Sequence, residues 1–189
     1  MRKTNQLLII AVIILAVFHI ILNFVTGSSL YLNNKAIFLK DFSIVITIIA
    51  PYIVEKIFKY NIADGFKLVW IIFIFMAHYL GVILGLYNTL LYYDKVVHTV
   101  SGILTAYVGM LILSHIKLKG NGFNILFIVS FSALCAVSWE IFEFVCNILV
   151  GGDAQKVIET GVDDTMLDMI VAIIGSIIYS IWYVLTVKK

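Results

Sequence analysis

Six apolar stretches divide the chain, at Leu7–Val25, Phe42–Phe58, Phe66–Leu91, Val96–Ile116, Phe123–Val150 and Thr165–Val187. One bilayer crossing takes about 20 apolar residues, and a single helix satisfies its own backbone hydrogen bonds in hydrocarbon. The pattern predicts an all-α polytopic membrane helix bundle of six transmembrane helices. The second stretch is the weakest, because Pro51 interrupts it and Glu55 and Lys56 stand near its end. Of the 189 residues 62% are hydrophobic and 13% charged, which leaves no room for an additional soluble domain. A single transmembrane domain over 1–189 is expected, with the polar site on helices between about 94 and 187. The N-terminus, MRKTNQLLII, has the basic start of a secretion signal, but its apolar run is long and lacks a clean small-x-small site. It reads as a retained first helix. Cys135 and Cys146 lie 11 residues apart on one expected helix, too far to bridge, so both read as buried thiols.

Charge sets the orientation. Alternate connections starting from the N-terminus hold nine Lys and Arg: Arg2, Lys3, Lys56, Lys59, Lys67, Lys117, Lys119, Lys188 and Lys189. The other set holds four: Lys35, Lys40, Lys95 and Lys156. Cytoplasmic loops collect basic residues, so both termini are expected in the cytoplasm of a multi-pass protein of the bacterial cytoplasmic membrane. The lipid bilayer is then its first partner. No basic stripe or phosphate-cradling glycine loop is present, and nucleic acid is not an expected partner. Oligomeric state is not legible.

With that orientation most acidic residues gather on the outer side. The stretch SWEIFEF places Glu140 and Glu143 inside the fifth apolar run, ten and seven residues from its end at Val150. Carboxyls inside a membrane helix are sheltered, paired or used. The fourth and sixth helices enter the same layer with YYDKVVH and VDDTMLD. Asp94 and His98 are i, i+4, Glu140 and Glu143 are i, i+3, and Asp164 and Asp168 are i, i+4, so each pair shares a helix face. Each continues into small or polar residues: Gly102, Thr105 and Gly109; Ser132, Ala136 and Asn147; Ala172 and Gly175. Small residues mark close helix approach, so the charged faces are expected to meet. His78, Gly81, Gly85 and Asn88 on the third helix, and His19 and Asn23 on the first, are read as packing positions.

Five carboxylates and an imidazole in one dry volume require either shared protons or a cation. Bundles build metal sites from such i, i+3 and i, i+4 pairs. Glu140, Glu143, Asp164 and Asp168 are the candidate metal ligands. Oxygen donors favour Mg²⁺, Mn²⁺ or Ca²⁺ over Zn²⁺ or Fe²⁺. His98, oriented by Asp94, is the candidate catalytic acid or base. The bland alternatives are also open. Asp94, Asp163 and Asp164 suit helix N-caps, Asp153 and Glu159 read as solvated loop residues, and Glu55 and Lys95 read as interfacial charges beside Lys56 and Asp94.

The segments YDKVVHTVSG, SWEIFEF and DDTMLDMIVAIIGS, in this order, resemble the YjdF-like family of bacterial inner-membrane proteins, over roughly Tyr93 to Ser176. More distantly, DKVVH and the Asp164/Asp168 spacing are similar to VanZ-like proteins of the cell envelope. The resemblance implies six helices and a shared polar site at Asp94, His98, Glu140, Glu143, Asp164 and Asp168, without supplying a reaction. Three functions remain open: a metal-dependent enzyme on lipid-linked envelope substrates, a proton- or ion-coupled transporter, and a structural or interaction membrane protein.

Overall fold

A computed structural model of the protein describes residues 2–25, 35–59, 61–116, 120–150 and 155–186. The side chains of His19, Asn23 and Asp153 lie outside the described residues, as do those of Arg2, Lys3, Lys35, Lys40, Lys117, Lys119, Lys188 and Lys189. The chain forms two compact units, Met1–Tyr93 and Asp94–Lys189. All regular structure among the described residues is helical.

The first unit holds α1 (Arg2–Val25), α2 (Lys35–Phe58), α3 (Asp64–Ile74, continuing as a π-helix over Phe75–Ile83) and the short α4 (Leu86–Thr89). Its core is an aliphatic seam of Val12, Ala16, Ile44, Ile48, Ile71 and Ile74. The first two helices each contribute an i, i+4 pair to it. Pro51 does not break α2. A proline removes the N–H that would reach the carbonyl four residues earlier, here that of Thr47. The Trp70 indole donates to that carbonyl at 2.9 Å, so the membrane helix continues with its backbone satisfied. Glu55 is not merely interfacial. Its carboxylate meets Lys67 Nζ at 2.7 Å and accepts the Ile62 N–H at 2.7 Å, and Lys67 also lies 5.0 Å from the Tyr52 ring centroid.

The third apolar stretch was expected to run unbroken to Leu91, and it does not. The Leu84 N–H reaches back to the Tyr79 carbonyl at 2.9 Å, closing the π turn, and Gly85 takes φ +73°. That left-handed backbone suits glycine and turns the chain. The Tyr87 ring then folds over Gly81, so close that a Cβ there would sit 2.6 Å from Cζ. The face read as a helix-approach stripe is filled by the unit's own tyrosine.

The second unit holds α5 (Tyr93–Ile116), α6 (Asn121–Val150), the short α7 (Val157–Thr160) and α8 (Asp163–Thr186). Gly102 on α5 lies against the Ala172 backbone, and Gly175 on α8 against that of Thr99. The two helices thus touch main chain to main chain one turn below His98. Thr105 Oγ1 and Ser132 Oγ share a hydrogen bond at 2.7 Å, and Phe131 fills the space beside Gly109. These contacts seat α6 on α5. Ala106, Leu113, Ile128 and Tyr179 close the core beneath. Cys135 and Cys146 are free and half-buried.

Four helices are long and apolar enough to cross a membrane among the described residues: Asp64–Ile83, Tyr93–Ser114, Asn121–Leu149 and Asp163–Thr186, with Thr4–Phe18 as a shorter apolar segment. The protein is an all-α, multi-pass membrane protein.

Candidate functional site

The starts of α5 and α8 and the end of α6 meet at one end of the second unit. The glycine contacts above dictate this, because they fix α5 and α8 at a separation that lets side chains one turn higher interlock. Asp94, Lys95 and His98 come from α5, Asp164 and Asp168 from α8. Lys95 Nζ donates to Asp164 Oδ1 at 2.5 Å and to Asp168 Oδ1 at 2.8 Å, and lies 3.6 Å from Asp94 Oδ2. His98 Nε2 lies 3.5 Å from Asp94 Oδ1 and 3.7 Å from Asp168 Oδ1. The connection preceding α8 adds Lys156, whose Nζ donates to Asp94 Oδ2 at 2.8 Å and lies 3.7 Å from Asp164 Oδ2. Asp164 and Asp168 are buried, so each needs partners of this kind.

Lys156 sits outside the spanning helices. Burial lowers its affinity for the proton, but the hydrogen bond and charge of Asp94 outweigh this, and its pKa lies above the ordinary lysine value. Its backbone adopts φ +52°, ψ +29°, a conformation lysine adopts at a cost of about 1 kcal/mol.

Glu140 and Glu143 stand apart from these ion pairs. Gln155 Nε2 donates to the Glu140 backbone carbonyl at 3.1 Å and to its Oε2 at 3.3 Å. Glu140 is only 5% exposed, and its Oε1 has no hydrogen bond within 3.5 Å, although the Thr165 side chain also acts on this carboxyl. Glu143 Oε1 accepts the Trp139 indole N–H at 2.9 Å. Both glutamates interact electrostatically with His98. The dipeptide Gln155–Lys156 therefore ties the two halves together, one residue to Glu140 on α6 and the next to Asp94 on α5.

Of the residues singled out by helical spacing, Asp94, His98 and Asp168 converge tightly. One ligand atom from each lies within 4.8 Å of the others, a spacing fit for a metal ion. Asp164 joins them through Lys95. Glu140 and Glu143 border the group with their own partners. Sequence reasoning missed Lys95, Lys156 and Gln155. By sequence alone Lys95 reads as an interfacial neighbour of Asp94. Its position three residues before His98 puts it on the same flank, and that spacing was the available signal. Lys156 and Gln155 reach the site from a connection, where no periodicity operates.

Fold and site together define a multi-pass helical membrane protein with a buried, charged, His-containing cluster at one helical end. A family model described as "Predicted membrane protein (DUF2238)" matches residues 6–189, and the chain belongs to that family. An uncharacterized protein of Thermotoga maritima is 30% identical over 133 residues, covering 67% of this chain and 65% of the relative, just under two thirds of its length. No solved structure matches.

Proposed function

We propose that the chain is a six-span protein of the bacterial cytoplasmic membrane, with both termini in the cytoplasm, and that it is a metal-assisted enzyme acting near the outer leaflet on lipid-linked substrates of the cell envelope. The single observation that carries this reading is the convergence of Asp94, His98 and Asp168 from two helices, in contact with Lys95 and Lys156. So much charge costs more to bury than helix packing requires. The basic bias of alternate connections supports the orientation. The likeness to VanZ-like proteins, which rests on DKVVH and the Asp164/Asp168 spacing alone, agrees with an envelope role.

The divalent ion is assigned to Asp94, His98 and Asp168. These three present one ligand atom each within 4.8 Å of one another, and Glu140, Glu143 and Asp164 are not part of that set. Three protein ligands leave positions open for water and substrate. A bound ion would polarise a phosphoryl or carbonyl oxygen and activate water. Such an ion would share Asp168 Oδ1 with Lys95, whose ammonium also bonds Asp164.

Elemental analysis of the purified chain beside Asp168→Asn, together with extracted envelope lipids offered as substrate, tests this. Metal and turnover in the first and neither in the second support it. Equal metal content in both overturns the ion. Proton or solute flux through proteoliposomes, abolished by the same substitution, would make the site a transport path. A structural reading is favoured by one observation, namely that the two lysines already pair with all three aspartates. In that case Asp168→Asn lowers stability alone.

A further inference from the structure

The carboxyls exceed the cations at this end of the second unit. Asp94, Asp164, Asp168, Glu140 and Glu143 face two ammoniums, Lys95 and Lys156, and both ammoniums are spent on the aspartates. Among the described residues, no lysine or arginine ion pair reaches Glu140 or Glu143. Glu140 Oε1 is the atom left over. It is buried, belongs to a residue 95% removed from solvent, and receives no hydrogen bond, while Oε2 on the same group takes the Gln155 amide. A buried acceptor without a donor costs about 1–3 kcal/mol, more when it carries charge. The neutral Thr165 hydroxyl and the His98 imidazole also act on this carboxyl; five carboxyls against two ammoniums and one imidazole still leave negative charge in excess, which favours a cationic donor at Oε1.

We propose that Glu140, with Glu143 and Trp139, binds the primary ammonium of an amine-bearing lipid headgroup. This rests on the reading of the chain as an enzyme of lipid-linked substrates and names the class of substrate. An ammonium suits the place better than a second metal ion. The metal-spaced group among the described residues is Asp94, His98 and Asp168, and it includes neither glutamate. An aromatic pair stands next to Glu143. Trp139 donates its N–H to Glu143 and stacks at 5.5 Å, tilted, on Phe142. The N–H edge of the indole holds the Glu143 carboxylate, and indole faces attract organic cations.

Access fits as well. Trp139 and Phe142 are exposed on the outer surface of α6, so a headgroup can arrive sideways from the bilayer. At the helical rise, the 30 residues of α6 span about 45 Å. The hydrocarbon layer is about 30 Å, so a centred helix overhangs by about 7 Å at each end. Glu143, seven residues from Val150, then lies within a few ångströms of the interface, and Glu140 one turn deeper.

The test uses the full chain in detergent with added dioleoyl phosphatidylethanolamine, its trimethylated counterpart phosphatidylcholine, or phosphatidylglycerol, with binding followed by native mass spectrometry. Expected is a preference of about tenfold for the primary amine over both others, the worth of one charged hydrogen bond. Glu140→Gln, which keeps the shape and the Gln155 contact, should abolish it, and Glu143→Gln should weaken it. Equal binding of the three lipids overturns the proposal, as does a preference that persists in Glu140→Gln. A second arm adds Mg²⁺ alone and ethanolamine alone. If Mg²⁺ stabilises the chain and Glu140→Gln removes that effect, the missing cation is a metal and the ammonium assignment falls. Asp168→Asn separates the two claims. It should remove the ion of the enzyme reading and leave the amine preference intact, so either can fail without the other.

Discussion

Replacing Lys95 with methionine tests the heart of the cluster. The substitution keeps most of the apolar stem and removes only the ammonium, which bonds Asp164 at 2.5 Å and Asp168 at 2.8 Å. The lysine side chain is 17% exposed and the two aspartates 9% and 5%. Breaking a fully buried pair costs about 3–5 kcal/mol, and this slight exposure places the loss at the lower end, about 3 kcal/mol. Asp168→Asn alone costs less, about 1.5 kcal/mol, because Lys95 keeps Asp164. If the two side chains touch, removing both should cost about 3 kcal/mol and not the sum, leaving a coupling of about 1.5 kcal/mol. The assay is unfolding of the full chain in mild detergent by graded addition of dodecyl sulfate, with the two single variants and the double one compared under one condition. Additivity within about 0.5 kcal/mol would refute the reasoning. Lys95→Met has a second consequence. With the competing ammonium gone from Asp168 Oδ1, a divalent ion should bind the variant more tightly than the parent in a Mn²⁺ titration.

Gly102→Ala drives a Cβ to within 2.7 Å of the Ala172 carbonyl carbon and 2.8 Å of its Cα. It should cost about 2 kcal/mol in the same assay, whereas Gly122→Ala, where a Cβ meets nothing within 4 Å, should be neutral or slightly stabilising. Lys156→Gly and Lys156→Ala lose the same Asp94 bond, but glycine relieves the left-handed backbone and should retain about 1 kcal/mol more stability. Because the pKa of Lys156 is raised by Asp94, its contribution is complete below the ordinary lysine value of 10.5 and fades as pH climbs past the folded value; an alkaline titration of stability should show that loss in the parent and not in Lys156→Ala. Trp70→Phe takes the indole donor from the Thr47 carbonyl and should cost about 1 kcal/mol, a penalty that shrinks when Pro51→Ala restores a backbone N–H.

The legible part of this protein was what helical periodicity encodes. The stripe Asp94, His98, Gly102, Thr105, Gly109 turned out to be the packing face of α5, with Gly102 on α8 and Thr105 and Gly109 on α6. The stripe Asp164, Asp168, Ala172, Gly175 is buried throughout. Small residues beside charges identified which faces meet, because only small side chains let two helices come this close. Partner choice across helices was not legible. The spacing of Lys95 put it on the right flank, yet nothing in that spacing says it will bond two aspartates on α8 as well as pair with its neighbour Asp94. Gln155 and Lys156 act from a connection, and no period marks them. The sequence of the third stretch fits a straight helix as well as a π turn. What decides is the swing of Tyr87 over Gly81 after Gly85, a contact from a residue six positions beyond Gly81 that the stripe's pattern does not announce.

The central claim is that charged side chains from α5 and α8 meet as one site within the membrane. The most direct measurement is solid-state NMR of the full chain in lipid bilayers, with lysine labelled at ¹⁵Nζ and aspartate at ¹³Cγ. Direct bonds from Lys95 to Asp164 and Asp168 predict strong short-range dipolar cross-peaks that vanish in Lys95→Met and partly in Asp168→Asn. The Lys156–Asp94 cross-peak should remain in Lys95→Met; spectra without Lys95 cross-peaks, or with every lysine–aspartate cross-peak untouched by Lys95→Met, would contradict the account.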